Sequence, residues 1–487
     1  MPPASSPGSH DSHRQGPRSS AGDRAARVRF RRAIALMVMT LALPGSAQLV
    51  AGNAKVGRIA LRIWFGLVAV LVLALVVGVA WHSFVFKVAL SPWLLGTVRL
   101  VLMAAAVGWA ALFVDAWRIG HPLSLHLGHR RAVVGVNGVL CLSVAGTLLF
   151  GAHVVGVQRD FVLAMSGDGQ VSGAHDGRYN VLLAGGDSGA GRWGLRPDSM
   201  TVASIDAVTG RTVLIALPRN MKNFPFVKGS VMDEQFPNGF DADYLNGVST
   251  WAQDNTTLFP HTKTPGMDAT IMGIEGITGL KINYWAMVNL QGFKDLVDAV
   301  GGVTLDVRSP IPVGGLGNDV TGYIRPGVRK LNGFDTLWYA RAREGSDDYS
   351  RMARQKCVMN AMLHQISPQS ALMNFQKIAA ASSAMISTNV PSGELERFVS
   401  LALKAKSQKI STLSLVPPMI DTAHPDIKLV KAKVQQALAR SEGAAPAAPR
   451  KAGAKAPAPT EVVTGGSKGS LHDGYAANQA DDLSSAC

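Results

Sequence analysis

Two hydrophobic patterns divide this chain. Up to about residue 156 the apolar residues come in long runs, near 33–51, 63–82, 94–115 and 132–156. A helix crossing a bilayer needs about 20 predominantly apolar residues, and the last three runs meet that length. The first is broken by Pro44 and Gly45 and ends in Ser46, Ala47 and Gln48. It reads as a span, a re-entrant hairpin or an interfacial helix.

From Arg178 the runs shorten and begin to alternate. Tyr179–Ala184, Met200–Ile205 and Thr212–Leu217 read as strands, the last two joined as a hairpin through Asp206–Gly210. Tyr284–Leu290, Val303–Val307 and Ile410–Val416 are further strands. Asp268–Thr278, Gln291–Val300, Asn332–Arg343, Tyr349–Ile366, Pro368–Ala384 and Gly393–Ala405 carry helical spacing. Strands interleaved with helices predict an α/β domain, an α/β/α sandwich, over 178–440.

Charge orients the membrane section. The formal net charge is +15, and Arg14, Arg18, Arg24, Arg27, Arg29, Arg31 and Arg32 crowd the chain's start. With Arg58, Arg62, Arg118, Arg130 and Arg131 they mark a cytoplasmic side if only three runs (63–82, 94–115, 132–156) cross. Everything after about 157 is then outside the cell, as a multi-pass membrane protein. The expected order is a disordered basic head (1–32), the membrane section (33–156), a linker (157–177), the domain (178–440) and a disordered Ala/Pro/Lys/Gly-rich tail (441–487). The sequence holds no helix-turn-helix, zinc-finger or RNA-binding signature, so its positive charge is assigned to lipid headgroups and not to nucleic acid. Three cysteines make no disulfide framework. Cys357 and Cys487 can pair only if both face an oxidising compartment.

The chemistry-bearing residues fall in short motifs on separate elements. Gly185-Gly186-Asp187-Ser188 follows a strand. Arg196-Pro197-Asp198 enters the next one, Pro218-Arg219-Asn220 leaves a third, and Arg341-Ala342-Arg343 and Arg351 to Gln355 lie on two helices. Singly, each has a plain explanation: a solvated turn aspartate, a surface ion pair, a strand-exit arginine or a solvated basic helix face. Together they pair guanidinium forks that grip phosphate bidentately with carboxylates that suit a hard cation. A polyprenyl chain would need an apolar groove; Ile271–Ile277 and Leu296–Val303 are candidates, although core packing explains most such helix faces.

In this order the motifs resemble the LytR-CpsA-Psr family over about 178–405, with Asn246-Gly247, the segment Gly276–Leu280 and Phe293–Leu305 adding to the likeness. The resemblance implies a membrane-anchored phosphotransferase. Such an enzyme moves a glycopolymer from a polyprenyl-pyrophosphate carrier to peptidoglycan through a phosphodiester, usually with magnesium. By position it implies a metal at Asp187 and Asp198. It implies a phosphate grip by Arg196, Arg219, Arg341, Arg343, Arg351 and Gln355, with Arg219, Asp198 and Arg343 catalytic. Asn220, Asn223 and Tyr244 depart from the common Asp, Arg and Lys of the family pattern. Left open are a pyrophosphatase using the same residues with water as acceptor, and a non-catalytic lipid-phosphate receptor or scaffold.

Overall fold

The structure, a computed structural model, describes residues 21–80, 82–164, 166–167, 169–186, 196–315, 319–365, 386–443 and 478–483. Asp187, the expected helix Pro368–Ala384 and Cys487 lie outside the described residues. The chain divides into two compact units, one of Met1–Val85 with Trp93–Gly156, the other of Phe86–Pro92 with Val157–Cys487.

The helices before the sheet are α1 (Ala21–Ala42), α2 (Ser46–Ala51), α3 (Ala54–Ala80), α4 (His82–Leu90), α5 (Pro92–Ile119) and α6 (Leu127–Ala164); α1, α2, α3 and nearly all of α5 belong to the first unit, while α4 and α6 run across the division. Among the described residues, three segments are long and apolar enough to cross a membrane: Ala54–Ala80, Pro92–Ser124 and Leu127–Leu163. The first apolar run is instead a helix–turn–helix. Its turn uses Gly45 at φ 95°, where an added Cβ would lie 2.7 Å from Ala60 Cβ, so only glycine lets α2 fold back on α3. Two side-chain hydrogen bonds tie it to α5: Gln48 Nε2 donates to Leu112 O (2.9 Å) and Trp109 Nε1 to Thr40 O (3.0 Å). The basic head is shorter than expected, because α1 begins at Ala21 and carries Arg24 to Arg32 on a helix.

The second unit is a six-stranded mixed sheet in the order β10–β3–β2–β1–β4–β9. Its strands are β1 (Arg178–Gly186), β2 (Pro197–Asp206), β3 (Thr212–Leu217), β4 (Tyr284–Asn289), β9 (Ile386–Thr388) and β10 (Ser411–Ser414). β1 runs antiparallel to β2 and parallel to β4; β3 runs antiparallel to β2 and parallel to β10. Two ladders stand apart from it, β5 (Val303–Val307) with β8 (Gly327–Leu331), and β6 (Ile311–Gly314) with β7 (Val320–Ile324). The helices are α7 (Val231–Gln235), α8 (Val248–Asp254), α9 (Pro265–Thr278), α10 (Leu290–Ala299), α11 (Gly333–Arg341), α12 (Asp348–Gln365), α13 (Ser392–Lys406) and α14 (Ile427–Glu442).

Side chains alternate across a strand, and here the alternation separates two environments. Leu182, Met200, Val202, Val213, Ile215 and Met287 point to one face and form the main core with Phe224, Phe240, Ile274, Ile277, Val430 and Val434. Val181, Leu183, Thr201, Ala203, Ile205 and Leu214 point to the other, which borders a cavity of about 1890 Å3. Helices therefore lie on both faces of the sheet, the α/β/α sandwich expected from sequence.

One expectation, on the tail, is corrected, and two segments are filled in. The linker is partly ordered, since α6 runs to Ala164 and Asn283 Nδ2 donates to Ser172 Oγ (2.9 Å) and Gly173 O (2.7 Å). The tail is not disordered throughout, since Asn478–Leu483 pack against β10. Ile274 and Ile277 belong to the main core and Val303 to a second one around β5, so of the two candidate groove segments Leu296 is the residue that lines the cavity. Cys357 is disulfide-bonded and Cys141 is free.

Candidate functional site

Four chain ends meet at one end of the cavity: the exit of β1, the entry of β2, the exit of β3 and the first turn of α12. Pro218 stops the β3 ladder, and Arg219 follows it between two carboxylates. Its Nη1 donates to Asp198 Oδ1 (2.5 Å) and its Nε to Asp348 Oδ1 (3.1 Å). Arg351 donates from Nε and Nη2 to Asp348 (3.2 and 3.0 Å) and from Nη1 to Asp198 O (3.0 Å). Arg343 Nη1 stands 4.0 Å from Asp348 Oδ1. Asp348 is thus the hub of three guanidiniums.

Asp347 and Asp348 divide the labour at the start of α12. Asp347 Oδ1 accepts from Ser350 N (2.6 Å) and so satisfies a first-turn amide. Asp348 turns toward the arginines, three residues before Arg351 and on its face of the helix. Burial pushes the Asp348 carboxyl up, but Arg351, Arg219 and Arg343 outweigh it and hold it below the usual carboxylate range. Burial lowers Arg219 while Asp348 and Asp198 raise it, with a net rise. Arg343 goes the other way: burial and the like charges of Arg219 and Arg351 lower it. Arg343 is therefore the guanidinium with most to gain from an incoming anion.

The other expected residues are placed as follows. Arg196 Nη2 contacts Asn246 Oδ1 (3.3 Å) and Asp243 Oδ2 (3.4 Å), and Asn246 Nδ2 donates to Asp198 Oδ1 (3.3 Å). Arg341 lines the same cavity, with its guanidinium 5.7 Å from the Trp338 ring centroid. Gln355 accepts from Ser199 Oγ (3.0 Å) and donates to Ala340 O (3.2 Å), so it joins α12 to β2 and α11 at the cavity wall. Arg351 has a side chain only 5 % exposed, against 21 % for Arg219 and 37 % for Arg343. It braces Asp198 and Asp348, while Arg219 and Arg343 are the more open forks. Arg354 is buried and donates to Ala342 O and Ser350 O (3.4 Å), holding the turn that carries Arg343.

The family departures have local explanations. Asn220 lines the cavity with a buried Oδ1 that has no hydrogen-bond partner among the described residues. Asn223 takes φ 51°, a left-handed conformation that asparagine tolerates, and donates to Ala423 O (2.8 Å). Tyr244 has the ammonium of Lys222 over its ring at 4.8 Å, so a cation returns to the place where the family pattern has lysine. Asp348, Asp243 and Ser199 have no role assigned from sequence, and Asn246 enters there only through the family likeness. The signal for Asp348 is its place in the run Asp347–Gln355, three residues before Arg351.

A magnesium ion is usually held by one or two carboxylates together with substrate phosphates. Asp198 and Asp348 are two such donors beside the arginines, so the residues present fit the ion the resemblance implies. No group of three or more His, Cys, Asp or Glu that could hold a metal occurs among the described residues. Asp187, the other expected ligand, lies outside them.

Comparison with known proteins extends the resemblance. The LytR_cpsA_psr family profile matches residues 157–438, more than half of the chain. Biofilm regulatory protein A of Streptococcus mutans is 26 % identical over 263 residues, 52 % of this chain and 60 % of that protein. The polyisoprenyl-teichoic acid–peptidoglycan teichoic acid transferase TagV of Bacillus subtilis is 31 % identical over 223 residues, 45 % of this chain and 51 % of its own. The cell wall biosynthesis protein LcpA of Corynebacterium glutamicum is 27 % identical over 295 residues, 55 % and 54 % of the two chains. The matches span about half to three-fifths of these relatives' length. The crystal structure of B. subtilis TagV aligns with a TM-score of 0.41 at 23 % identity, covering 56 % of this chain and all of that one. On the family match, the chain belongs to the LytR-CpsA-Psr family.

Proposed function

We propose that this protein is a phosphotransferase that moves a glycopolymer from a polyprenyl-pyrophosphate carrier to peptidoglycan, joining them by a phosphodiester. One observation carries the reading: the Arg219–Asp348–Arg343 cluster opens onto an apolar cavity of about 1890 Å3. A pyrophosphate joined to a long prenyl chain has that same division into an anionic head and an apolar tail. The transferases among the relatives are named for polyisoprenyl-linked teichoic acid and peptidoglycan. The glycopolymer this chain would carry is assigned here only by that class.

In this reading Arg219 and Arg343 donate to the phosphates. Each charge-assisted bond contributes about 1.5–3 kcal/mol, and the contribution grows as charge develops on the leaving phosphate in a partly desolvated site. Arg351 and Arg354 keep Asp348 and the Arg343 turn in place. Asp198, with a side chain 37 % exposed, is the more open of the two carboxylates and is placed to take the proton of the acceptor hydroxyl. Asp198 and Asp348 would hold magnesium, which supplies further neutralisation of the pyrophosphate when bound. Three helices long and apolar enough to cross, flanked by basic residues, support a reading in which the second unit is outside the cell, where peptidoglycan is.

The test uses the full chain in lipid nanodiscs with magnesium, a polyprenyl-pyrophosphate glycan and peptidoglycan fragments, with products read by mass spectrometry. The expected product is glycan joined to acceptor through phosphate, reduced about 10²- to 10³-fold in Arg219→Ala and in Arg343→Ala. Release of glycan phosphate alone would replace the transferase with a pyrophosphatase. Lipid binding without turnover would make the protein a receptor.

A further inference from the structure

The cavity has a second opening, at the end of the sheet away from the arginines. Ala402 and Leu403 of α13 line the cavity and are exposed, Leu403 at 42 %. Lys406, one turn on, lines it as well. So does Ile205, which shares an apolar cluster with Leu395, Phe398 and Leu401 of the same helix. Asp198 and Ile205 stand at opposite ends of β2, about 23 Å apart at strand rise. A prenyl chain gripped by its pyrophosphate at the arginines would run down this length and emerge at α13.

What surrounds the opening is apolar and cationic. The β2–β3 hairpin tip sits against α13: Lys404 Nζ donates to Val208 O (2.9 Å), and Gly210 approaches Lys404 so closely that an added Cβ would lie 2.7 Å from the lysine Cβ. Val208 is 77 % exposed. Asp206, the carboxylate of this turn, is folded onto the backbone, accepting from Val208 N (3.0 Å) and Thr209 N (2.6 Å). Arg211 and Lys404 are exposed and donate to backbone carbonyls, which do not cancel their charge. The start of α13 is tied to the chain arriving from α6. That apolar helix ends at Ala164, and Gly167 N donates to Val390 O (2.7 Å), a residue that also lines the cavity. A Cβ on Gly167 or Gly169 would run into the carbonyl oxygens of Thr388 and Asn389, so the two glycines let the linker lie flat on this rim. Leu403 lies about 20 Å along the chain from Val390 at helix rise. The opening is thus held near the place where the chain leaves an apolar helix.

We propose that the β2–β3 hairpin tip and the C-terminal half of α13 dock on an anionic bilayer surface, so that a prenyl chain passes between bilayer and cavity without crossing water. Val208 and Leu403 enter the acyl boundary, and Arg211, Lys404 and Lys406 meet the headgroups. The inference rests on the membrane-bound, polyprenyl-pyrophosphate reading above. Its test replaces Val208 by the photo-crosslinker p-benzoylphenylalanine in the full chain, in nanodiscs of phosphatidylcholine with and without phosphatidylglycerol, and measures lipid adducts by mass spectrometry. Val328, 75 % exposed on β8, is the reference position. Lipid adducts are expected at 208 in excess over 328 and are expected to increase with phosphatidylglycerol. They should fall about fivefold for each charge lost in Lys404→Gln and Lys406→Gln, which keep a hydrogen-bond donor. Equal adducts at the two positions would overturn docking. Adducts at 208 indifferent to phosphatidylglycerol and to both glutamines would overturn the headgroup contact. Glycan transfer to peptidoglycan, measured in the same nanodiscs, separates the two readings. Transfer with no excess of adducts at 208 overturns docking alone, and adducts without transfer overturn the transferase and leave docking standing.

Discussion

The two faces of the central sheet are made of neighbouring residues on the same strands, and one is filled while the other is hollow. Leu182 is fully buried among Phe224, Ile274 and Val430, whereas Leu183, the next residue of β1, borders the cavity. Both are apolar, and both suit a strand buried on two sides. The filled face is closed by α9 and α14, which press apolar stripes into it. The hollow face is roofed by α10, α12 and α13; Met359, Leu363, Leu395 and Phe398 pack against its strands and also line the cavity. Hydrophobicity alone therefore marks what avoids water and not what is packed.

The largest expected effect separates the faces directly. Leu182→Ala should cost about 2–5 kcal/mol of stability, as large-to-small changes in a dense core do. Leu183→Ala enlarges a space that already exists and should cost below about 1 kcal/mol. Urea unfolding of the two variants, read by near-UV circular dichroism, checks the difference. Equal losses would mean that the second face is as well packed as the first.

This contrast also explains what the sequence reveals. Strands β1 to β4 and helices α9 to α12 announce themselves, because their apolar positions recur at the spacing of one face. The ladders β6–β7 and β8 are missed, since Gly314, Gly322 and Gly327 and exposed polar residues interrupt any alternation. Helix α14 is missed although Val430, Val434, Ala437 and Leu438 form a stripe, because Lys, Gln and Arg fill the remaining positions in a segment next to a low-complexity tail. At the site, the arginines stand out by residue type and motif. Asp348 does not: it meets Arg219 across 129 positions of chain, and only the meeting of the β3 exit with the α12 start makes it the hub. The packing of Asn478–Leu483 on β10 is missed for a similar reason, since its single buried leucine lies beyond a long Ala/Pro/Lys/Gly-rich stretch.

The second prediction sharpens the comparison on the helix that roofs the hollow face. α12 buries Arg351, Arg354 and Lys356, whereas α9 on the filled face buries mostly apolar residues and threonines. Burial lowers the Lys356 ammonium from 10.5 to about 8. Below that value the folded protein carries a buried charge at constant cost. Between about 8 and 10.5 the unfolded chain binds the extra proton and the folded one does not, so stability rises with pH across this window. The full shift corresponds to about 3 kcal/mol. Melting the parent and Lys356→Met from about pH 7.5 to 10.5 checks this: the variant should lose the upward slope. An identical slope in both would assign it to other groups.

The smallest effect concerns a pair that belongs to neither face but sits where they end. Lys222 follows the β3 exit, and its ammonium lies over Tyr244, which lines the cavity beside Arg196 and Asn246. An exposed cation–π contact is worth about 0.5–1 kcal/mol, so Lys222→Ala should barely move the unfolding midpoint. Its effect on substrate should be of the same small order but specific. The lysine is a positive charge near the mouth without a place in the Asp348 cluster, so its loss should raise KM for the pyrophosphate donor a few-fold and leave kcat nearly unchanged. Tyr244→Lys, which restores the common family residue, should reverse that rise when combined with Lys222→Ala. A drop in kcat on Lys222→Ala alone would instead draw Lys222 into the reacting cluster, and the boundary between the hollow face and the charged end would have to be moved to include it.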